Sequence, residues 1–388
     1  MSEIKRKKRC LSQLLKACAI SAFAFLLSWL LIYDFTSLSY FAPMEKASDF
    51  LASDFYNLVA QNRKVKSYDD RIAVVSIDGL SRPEIAETFR AISEGQPKVL
   101  AVDVFFEERG DDTDIDLAES LSGLPMVIYP IAASSDEGGV ISGPSIYNYL
   151  DNVEPGVVNL DINSNRNTVR TFKSLFLEGD RAEESLAYAA AKAFKGGDFD
   201  DFSTSESYDI DYNTVEFDTF EASEIINDPD LINSRLVFVG ELQNPTDMHA
   251  TPLENSVPGV MIHACSASTI LNDLIIKHVP GWVIGLISAL LSIFFIYAQL
   301  TLCDSKAGNM LMRWLQAGIL LLLIVAGTFL FIDYRISFDL SLPLTMITLG
   351  LLACDLWMLL ETAPGWWKFI KSKLNAIKIP IFKNQLKS

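Results

Sequence analysis

Apolar residues are concentrated in four segments, at residues 14–33, 280–302, 314–332 and 338–360. A bilayer core needs about 20 consecutive, mostly apolar residues in a helix, and each segment is close to that length. The pattern therefore predicts four transmembrane helices, one near the N-terminus and three near the C-terminus. The long segment between them, residues 34–279, is mostly polar.

The first apolar segment has two interpretations. The sequence KRKKR precedes it, as in a secretory signal peptide. However, the segment ends in Trp29 and Tyr33, which are typical of a membrane interface, and no small-residue cleavage signal follows it. These features favour an uncleaved membrane anchor.

Within residues 34–279, short apolar runs alternate with helical patterns. Strands are predicted at residues 71–78, 98–106, 125–131, 157–160, 169–177 and 235–240, and helices at residues 43–66, 83–94, 183–194 and 258–272, with another helix through Leu121. Alternation of this kind predicts one α/β domain, in which a mostly parallel sheet is flanked by helices.

Basic residues predict the orientation. Residues 1–13 and 361–388 are both rich in lysine or arginine, and such flanks stay in the cytoplasm. We therefore predict a multi-pass protein of the bacterial inner membrane, with residues 34–279 in the periplasm. Residues 366–378 form an amphipathic, lysine-rich pattern typical of a helix on the lipid of the inner leaflet, although a signalling partner could dock there instead.

The charge distribution limits the function of the middle segment. Residues 34–279 contain 43 of the 49 acidic residues and 17 of the 32 basic ones. This balance argues against nucleic-acid binding, which needs clustered lysine and arginine, and favours solubility in an aqueous compartment. Only Cys265, of five cysteines, lies in the segment, so no disulfide can form within it. A lone cysteine of this kind is typical of packing.

Polar residues follow the predicted strands. In an open parallel sheet, the carboxyl ends of the strands line the ligand crevice, so Asp78 and Asp103 are candidates for binding a small molecule. Further candidates are Ser81, Asn159, Asp161, Asp247 and His263. The alternative for each is a structural role, in which the side chain caps a helix or holds a turn. The ligand itself cannot be identified from the sequence.

The sequence motifs and the spacing of acidic residues and histidines give little support for a metal site or a catalytic site. The acidic run at residues 111–116 attracts a calcium interpretation, but Leu117 and Gly123 stand where an EF-hand needs glycine and glutamate. Helix capping and solvation are favoured instead. The three histidines, His249, His263 and His278, lack the spacing of a zinc site. No P-loop, HExxH or GxSxG motif occurs, so we expect no metal, no cofactor and no catalytic residue.

Several short motifs recur in a specific order. They are DRIAVVSID at 70–78, VDVFF at 102–106, GVVNLD at 156–161, LVFVG at 236–240 and PGVMIHA at 258–264. In this order the chain resembles the second type of CHASE domain, a sensing extracellular domain associated with cyclases and histidine kinases. Three apolar segments after the last motif are also typical of that family, and the similarity covers roughly residues 43–360. The resemblance implies an extracytoplasmic sensory domain.

Two features depart from the family. Members commonly carry a Trp-Pro-Trp stretch after the first strand, whereas here Ser81-Arg82-Pro83 leads directly into a helix. If that loop contacts a ligand in the family, binding differs here. Members also usually continue into a cytoplasmic kinase or cyclase, but this chain ends at Ser388. We therefore expect output through a separate cytoplasmic protein.

Asp355 lies within the fourth apolar segment. A carboxylate at membrane depth is costly and is a candidate for a helix-packing or partner contact, unless it lies at the interface.

The leading hypothesis is a non-catalytic membrane sensor, with homodimerisation expected by analogy with receptors of similar layout. The alternative is a structural or assembly protein of the cell envelope whose sensory domain has lost its signal. A periplasmic enzyme is a third class without motif support.

Overall fold

The computed structural model describes residues 3–36, 52–63, 66–133, 140–141, 145–162, 168–178, 181–213, 215–302, 306–362 and 365. The chain divides into two compact units. One holds Met1–Ser48, Val279–Phe329 and Phe338–Ser388, and the other holds Asp49–His278 and Leu330–Ser337. The amphipathic pattern at residues 366–378 lies outside the described residues, as does the first part, residues 43–51, of the helix predicted at 43–66.

The strands of the described chain are β1 (Ser67–Ser76), β2 (Val99–Val102), β3 (Val127–Ala133), β4 (Val140–Ile141), β5 (Val153–Val157), β6 (Thr171–Lys173), β7 (Leu175–Glu178), β8 (Arg181–Glu184), β9 (Ser207–Asp209), β10 (Val215–Glu221), β11 (Leu236–Gly240), β12 (Met248–His249), β13 (Val257–Pro258), β14 (Lys277–His278) and β15 (Ile336–Ser337). The helices are α1 (Glu3–Thr36), α2 (Ala52–Arg63), α3 (Arg82–Glu94), α4 (Asp112–Leu121), α5 (Leu186–Lys195), α6 (Ala222–Asn227), α7 (Gly259–Leu271), α8 (Gly281–Leu302), α9 (Lys306–Tyr334) and α10 (Ser341–Thr362).

The main sheet has the strand order β10-β1-β11-β2-β3, with β4 and β5 both paired to β3. All these pairings are parallel except that of β4. The central strands β2 and β11 are buried along their whole length, because helices cover both faces of a parallel sheet. The predicted mostly parallel α/β fold is confirmed.

Alternate side chains of β1 enter two separate cores. Ile72 and Val74 pack with residues of α5 and α7 on one face of the sheet. Ala73 and Val75 pack with residues of α3 and α4 on the other face. The unit is therefore a three-layer α/β/α domain, and the carboxyl ends of its central strands lie along one edge.

Among the described residues, three helical segments are long and apolar enough to cross a membrane: Leu11–Trp29, Gly281–Thr301 and Met310–Tyr334. The fourth predicted span is also helical, as α10, but its described apolar stretch, Ser341–Trp357, is shorter. Three of the four predicted spans are therefore supported among the described residues, and the fourth remains a prediction.

Small residues let the helices α1, α8 and α10 approach one another closely. Ser21 Oγ donates a hydrogen bond to Ser292 Oγ at 3.0 Å, which joins α1 to α8. A Cβ on Gly350 would lie 3.3 Å from the same Ser292 Oγ, so α10 also approaches there. Small and hydroxyl-bearing residues are the usual contacts between helices in lipid.

Candidate functional site

The side chain of Asp78 fastens the loop that follows β11. Its Oδ2 accepts hydrogen bonds from Leu242 N at 3.0 Å and from Ser76 Oγ at 2.7 Å, and its Oδ1 accepts one from Gln243 N at 2.9 Å. Both oxygens are thus engaged by the domain itself. Asp78 follows the carboxyl end of β1, and its contacts are structural.

Asp103 lies at the equivalent end of β2, the strand that pairs with β11 on the side away from β1. Its backbone N donates to Val239 O at 2.8 Å, which places its partly buried side chain just beyond β2. Within the described residues, the carboxylate of Asp103 has no hydrogen-bond or ion-pair partner. Burial raises its pKa from 3.8 to about 7; the charge of Asp247 adds to the rise, and His249 opposes it.

Asp247 holds the start of α7. Its Oδ2 accepts a hydrogen bond from Gly259 N at 3.1 Å, and its Oδ1 lies 3.2 Å from His249 Nε2. A carboxylate at this end of a helix is stabilised by the helix dipole. A Cβ on Gly259 would lie 2.7 Å from both carboxylate oxygens, so only glycine leaves room for this arrangement.

His263 lies in α7 and is only 5% exposed. Burial lowers its pKa from 6.5 to about 4, and the charge of Asp247 and a hydrogen bond with the backbone of Val158 offset this only in part. The imidazole is therefore neutral near pH 7. Because the charges of Asp247 and His249 act on both Asp103 and His263, these four residues form one electrostatic cluster, which we call the strand-end site.

His249 was not among the ligand candidates from the sequence. It follows Asp247 by two residues and ends the short strand β12, and nothing in its local pattern separates it from an ordinary surface histidine. Its role at the site depends on the pairing of β12 with β13, which brings His249 beside the start of α7.

Two other predicted candidates have local partners. Ser81 begins α3, and both its N and its Oγ donate to Glu84 Oε2, at 2.7 and 2.6 Å, in a capping box. Asn159 Oδ1 accepts from Ala133 N at 2.6 Å while its Nδ2 donates to Ala133 O at 3.1 Å. These contacts extend the sheet and do not involve Asp103 or Asp247.

Asp161, the remaining candidate, contacts the nearby strand β6. Its Oδ2 accepts from Thr171 Oγ1 at 2.6 Å, and Lys173 Nζ lies 3.7 Å from Oδ1. The structure therefore brings Asp103, Asp247 and His263 together and gives Asp161 a separate, local role.

The acidic run at residues 111–116 begins at the N-cap of α4 and continues into its first turns. Asp111 Oδ1 accepts from Thr113 N at 3.0 Å. Asp114 Oδ2 accepts from Arg109 N at 2.7 Å and from Gly110 N at 2.6 Å, and its Oδ1 pairs with Arg82. The capping interpretation is confirmed. Among the described residues, no group of three or more acidic, histidine or cysteine side chains could hold a metal ion.

Family comparison decides what kind of domain carries this site. A family model for the CHASE2 domain matches residues 26–300, which is more than half of the chain. The chain belongs to the CHASE2 domain family. This match confirms the resemblance seen in the motifs. CHASE2 domains are extracellular sensory domains. Searches of curated proteins and of solved structures gave no significant match.

The unit of Asp49–His278 and Leu330–Ser337, which we call the CHASE2 unit, includes the end of α9 and the segment that follows it. We call the contacts made by Leu330–Ser337 the base of this unit. Arg335 Nη1 donates to Asp211 Oδ2 at 2.7 Å, and Lys277 N donates to Arg335 O at 2.8 Å. The short strands β14 and β15 pair in parallel beside this contact. The rings of Tyr56 and Phe331 also lie 5.4 Å apart between centroids, which brings α2 into the same cluster.

Helix α2 is fastened to the CHASE2 unit by a second, buried contact. Arg170 Nε and Nη2 donate to the two oxygens of Asp54 at 2.8 and 2.7 Å. The side chains are 11% and 6% exposed, so the bidentate pair is shielded from solvent. Asn213 Nδ2 adds a hydrogen bond to Asn57 Oδ1 at 2.6 Å. Helix α2 is therefore packed into the CHASE2 unit.

Proposed function

We propose that this chain is a non-catalytic sensor of a bacterial inner membrane, in which the CHASE2 unit detects a periplasmic signal at the strand-end site. Four spans, including α10, would hold the unit in place. The signal would pass to a separate cytoplasmic protein. The membership of the CHASE2 family supports the sensory role.

The observation that carries the ligand site is the carboxylate of Asp103, which has no partner in the part of the chain that the structure describes. Every other predicted aspartate of the crevice is engaged: Asp78 by backbone amides, Asp161 by Thr171 and Asp247 by Gly259. Asp103 is partly buried, so its charge lacks full hydration as well as a partner. Leaving a buried charge without a partner is expensive, and such groups are common at functional sites.

The charges of the site favour a cationic ligand. Asp247 supplies negative charge, Asp103 does so in its ionised form, and the pKa of about 4 keeps His263 neutral. An ammonium or guanidinium group would supply the missing partner of Asp103 and remove its repulsion from Asp247. The ligand class we propose is therefore a small organic cation.

Two contacts at the base of the unit support a route for the signal. Arg335 joins Asp211 to the segment that leads into α10, and the Arg170–Asp54 pair holds α2. A ligand could shift this base only by binding its two arrangements with different affinity.

The alternative is an envelope scaffold with a degenerate sensory domain. The internal roles of Asp78, Ser81, Asn159 and Asp161 favour it, because they leave few polar groups for a ligand.

The test is thermal unfolding of the full chain in lipid nanodiscs against a panel of small amines, amino acids and guanidinium compounds. At a ligand concentration of 100 times Kd, the protein should gain about 2.7 kcal/mol of stability. The gain should disappear in Asp103→Asn and persist in Asp116→Asn, whose carboxylate is exposed and pairs with Arg90. Unchanged unfolding across the whole panel would favour the scaffold.

A further inference from the structure

The polar residues of the apolar helix α10 lie on its exposed face. Within Ser341–Trp357, the hydroxyl-bearing and charged residues are Ser341, Thr345, Thr348 and Asp355. Of these, Thr345 is partly buried and the other three are exposed. Together with Leu352 and Leu359, they recur at steps of four, three, four, three and four residues. In a helix these steps place all six on one straight stripe, which we call the α10 seam.

The opposite face of α10 is apolar and packed. Met346, Ala353 and Cys354 are buried in a cluster with Ala17, Ile20 and Ile296, which belong to α1 and α8. On the seam, by contrast, Leu352 is 49% exposed and Leu359 is 64% exposed. The apolar side of the helix therefore faces protein, and its polar side has no cover within the described residues. Polar residues at membrane depth normally face the interior of a helix bundle, so this pattern is inverted for a helix that meets lipid.

Asp355 gives the seam a need for a partner. The hydroxyls of Thr345 and Thr348 donate within their own helix, to Ser341 O at 2.7 Å and to Leu344 O at 2.8 Å. Among the described residues, the carboxyl of Asp355 has no such hydrogen bond or ion pair. A carboxyl exposed to lipid costs several kcal/mol by most estimates, and a facing hydrogen-bonding group removes part of that cost.

We propose that the α10 seam packs against the α10 seam of a second copy of this chain. The alternating steps of four and three are the spacing of a left-handed pair of helices. Copies inserted with the same orientation are related by a two-fold axis along the membrane normal, so each seam residue meets its counterpart.

The chemistry of the seam is self-complementary. Threonine hydroxyls keep free lone pairs, leucines pack on leucines, and two facing carboxyl groups can hydrogen-bond to each other. No lysine, arginine or histidine occurs in α10. The inference rests on the proposed membrane crossing of α10 and is independent of the ligand site.

The test is cysteine crosslinking of the full chain in native membranes, with alanine in place of the five native cysteines. Thr348→Cys and Leu352→Cys should form disulfide-linked species of twice the chain mass on mild oxidation. Leu349→Cys and Leu351→Cys, which flank the seam, should crosslink at least about fivefold less. No dimer at the seam, equal yields at all four positions, or an adduct of a different mass would overturn the proposal.

Two further measurements separate the possible failures. Thr348→Cys should resist a water-soluble maleimide; labelling would show that α10 lies outside the membrane, which would also overturn the proposed fourth span. In the chain with its native cysteines, Asp355→Leu should lower co-purification of two differently tagged copies about fivefold. Asp355→Asn should retain it, because an amide also donates and accepts. Undiminished pairing in Asp355→Leu would contradict the role of the carboxyl.

Discussion

At the residue scale, the strand-end site holds two titratable groups whose pKa values move in opposite directions. Asp103 binds its proton more tightly in the folded protein, so its contribution to stability is lost as pH rises from 3.8 toward about 7. His263 binds its proton less tightly when folded, so its contribution is lost as pH falls from 6.5 toward about 4. Between about pH 4 and 6.5 the two effects oppose each other.

Replacing Asp103 should expose the titration of His263. In Asp103→Asn, the free energy of unfolding should rise with pH between about 4 and 6.5, with a slope of up to about 1.4 kcal/mol per pH unit. The full chain in nanodiscs would be unfolded with denaturant at several pH values. Asp116→Asn serves as the exposed control. A slope in Asp103→Asn no steeper than that of the unaltered chain would show that the two groups are not opposed.

A methyl group at Gly259 should displace Asp247. It would lie 2.7 Å from both carboxylate oxygens, so the hydrogen bond from Gly259 N should be lost. We expect Gly259→Ala to cost about 1 kcal/mol in thermal unfolding and to lower the pKa of Asp103, because its nearby negative charge moves away. Gly197→Ala is the matched control, since no atom lies within 4 Å of the added carbon. Equal behaviour of the two variants would refute the close approach.

The sequence made both Asp78 and Asp103 candidates for ligand binding but could not distinguish between them. Asp78 and Asp103 both follow buried apolar strands and have equal claims in the sequence. What separates them is the loop after β11, whose amides at Leu242 and Gln243 donate to Asp78, whereas Asp103 has no partner among the residues described. Contacts of this kind join residues more than 160 positions apart, and no local pattern encodes them.

At the scale of elements, strands with continuous apolar runs were predictable and strands without them were not. β2 and β11 are runs of valine, leucine and phenylalanine, as buried parallel strands require. β10 was missed because its sequence, VEFDTFE, alternates with acidic residues, as suits an exposed edge strand. β15 has two residues and pairs with β14 across two long helices, so its place in the CHASE2 unit has no signal in the sequence.

The Arg335–Asp211 pair should hold β14 and β15 together. Arg335 adopts a positive φ of 53°, and Asp211 has a side chain only 7% exposed, so loss of the guanidinium leaves a buried carboxylate. Arg335→Gln should speed hydrogen exchange at the Lys277 amide, which bonds Arg335 O, by about tenfold or more. Arg90→Gln removes a comparable but exposed ion pair and should change nothing there. Unaltered exchange in Arg335→Gln would show that the pair does not hold the base.

At the scale of the whole molecule, hydropathy and charge predicted an anchored domain with both chain ends on one side. Three spans and the sensory family are supported by the structure and by the family match. The fourth span, the orientation and the partner remain predictions, because they depend on the lipid and on other proteins. The hydropathy of α10 likewise gave no sign that its polar residues share one exposed face, since that depends on how α1 and α8 pack.

The most direct test of the account is the sidedness of the CHASE2 unit. Ser205 is exposed in that unit, so Ser205→Cys in intact cells should react with a maleimide that cannot cross the inner membrane. Native Cys265 is partly buried, and burial raises its pKa to about 12, so it should stay unlabelled. Lys387→Cys, in the predicted cytoplasmic tail, should react only after the inner membrane is broken. If Ser205→Cys also needed that breakage, the unit would face the cytoplasm and could not sense a periplasmic signal.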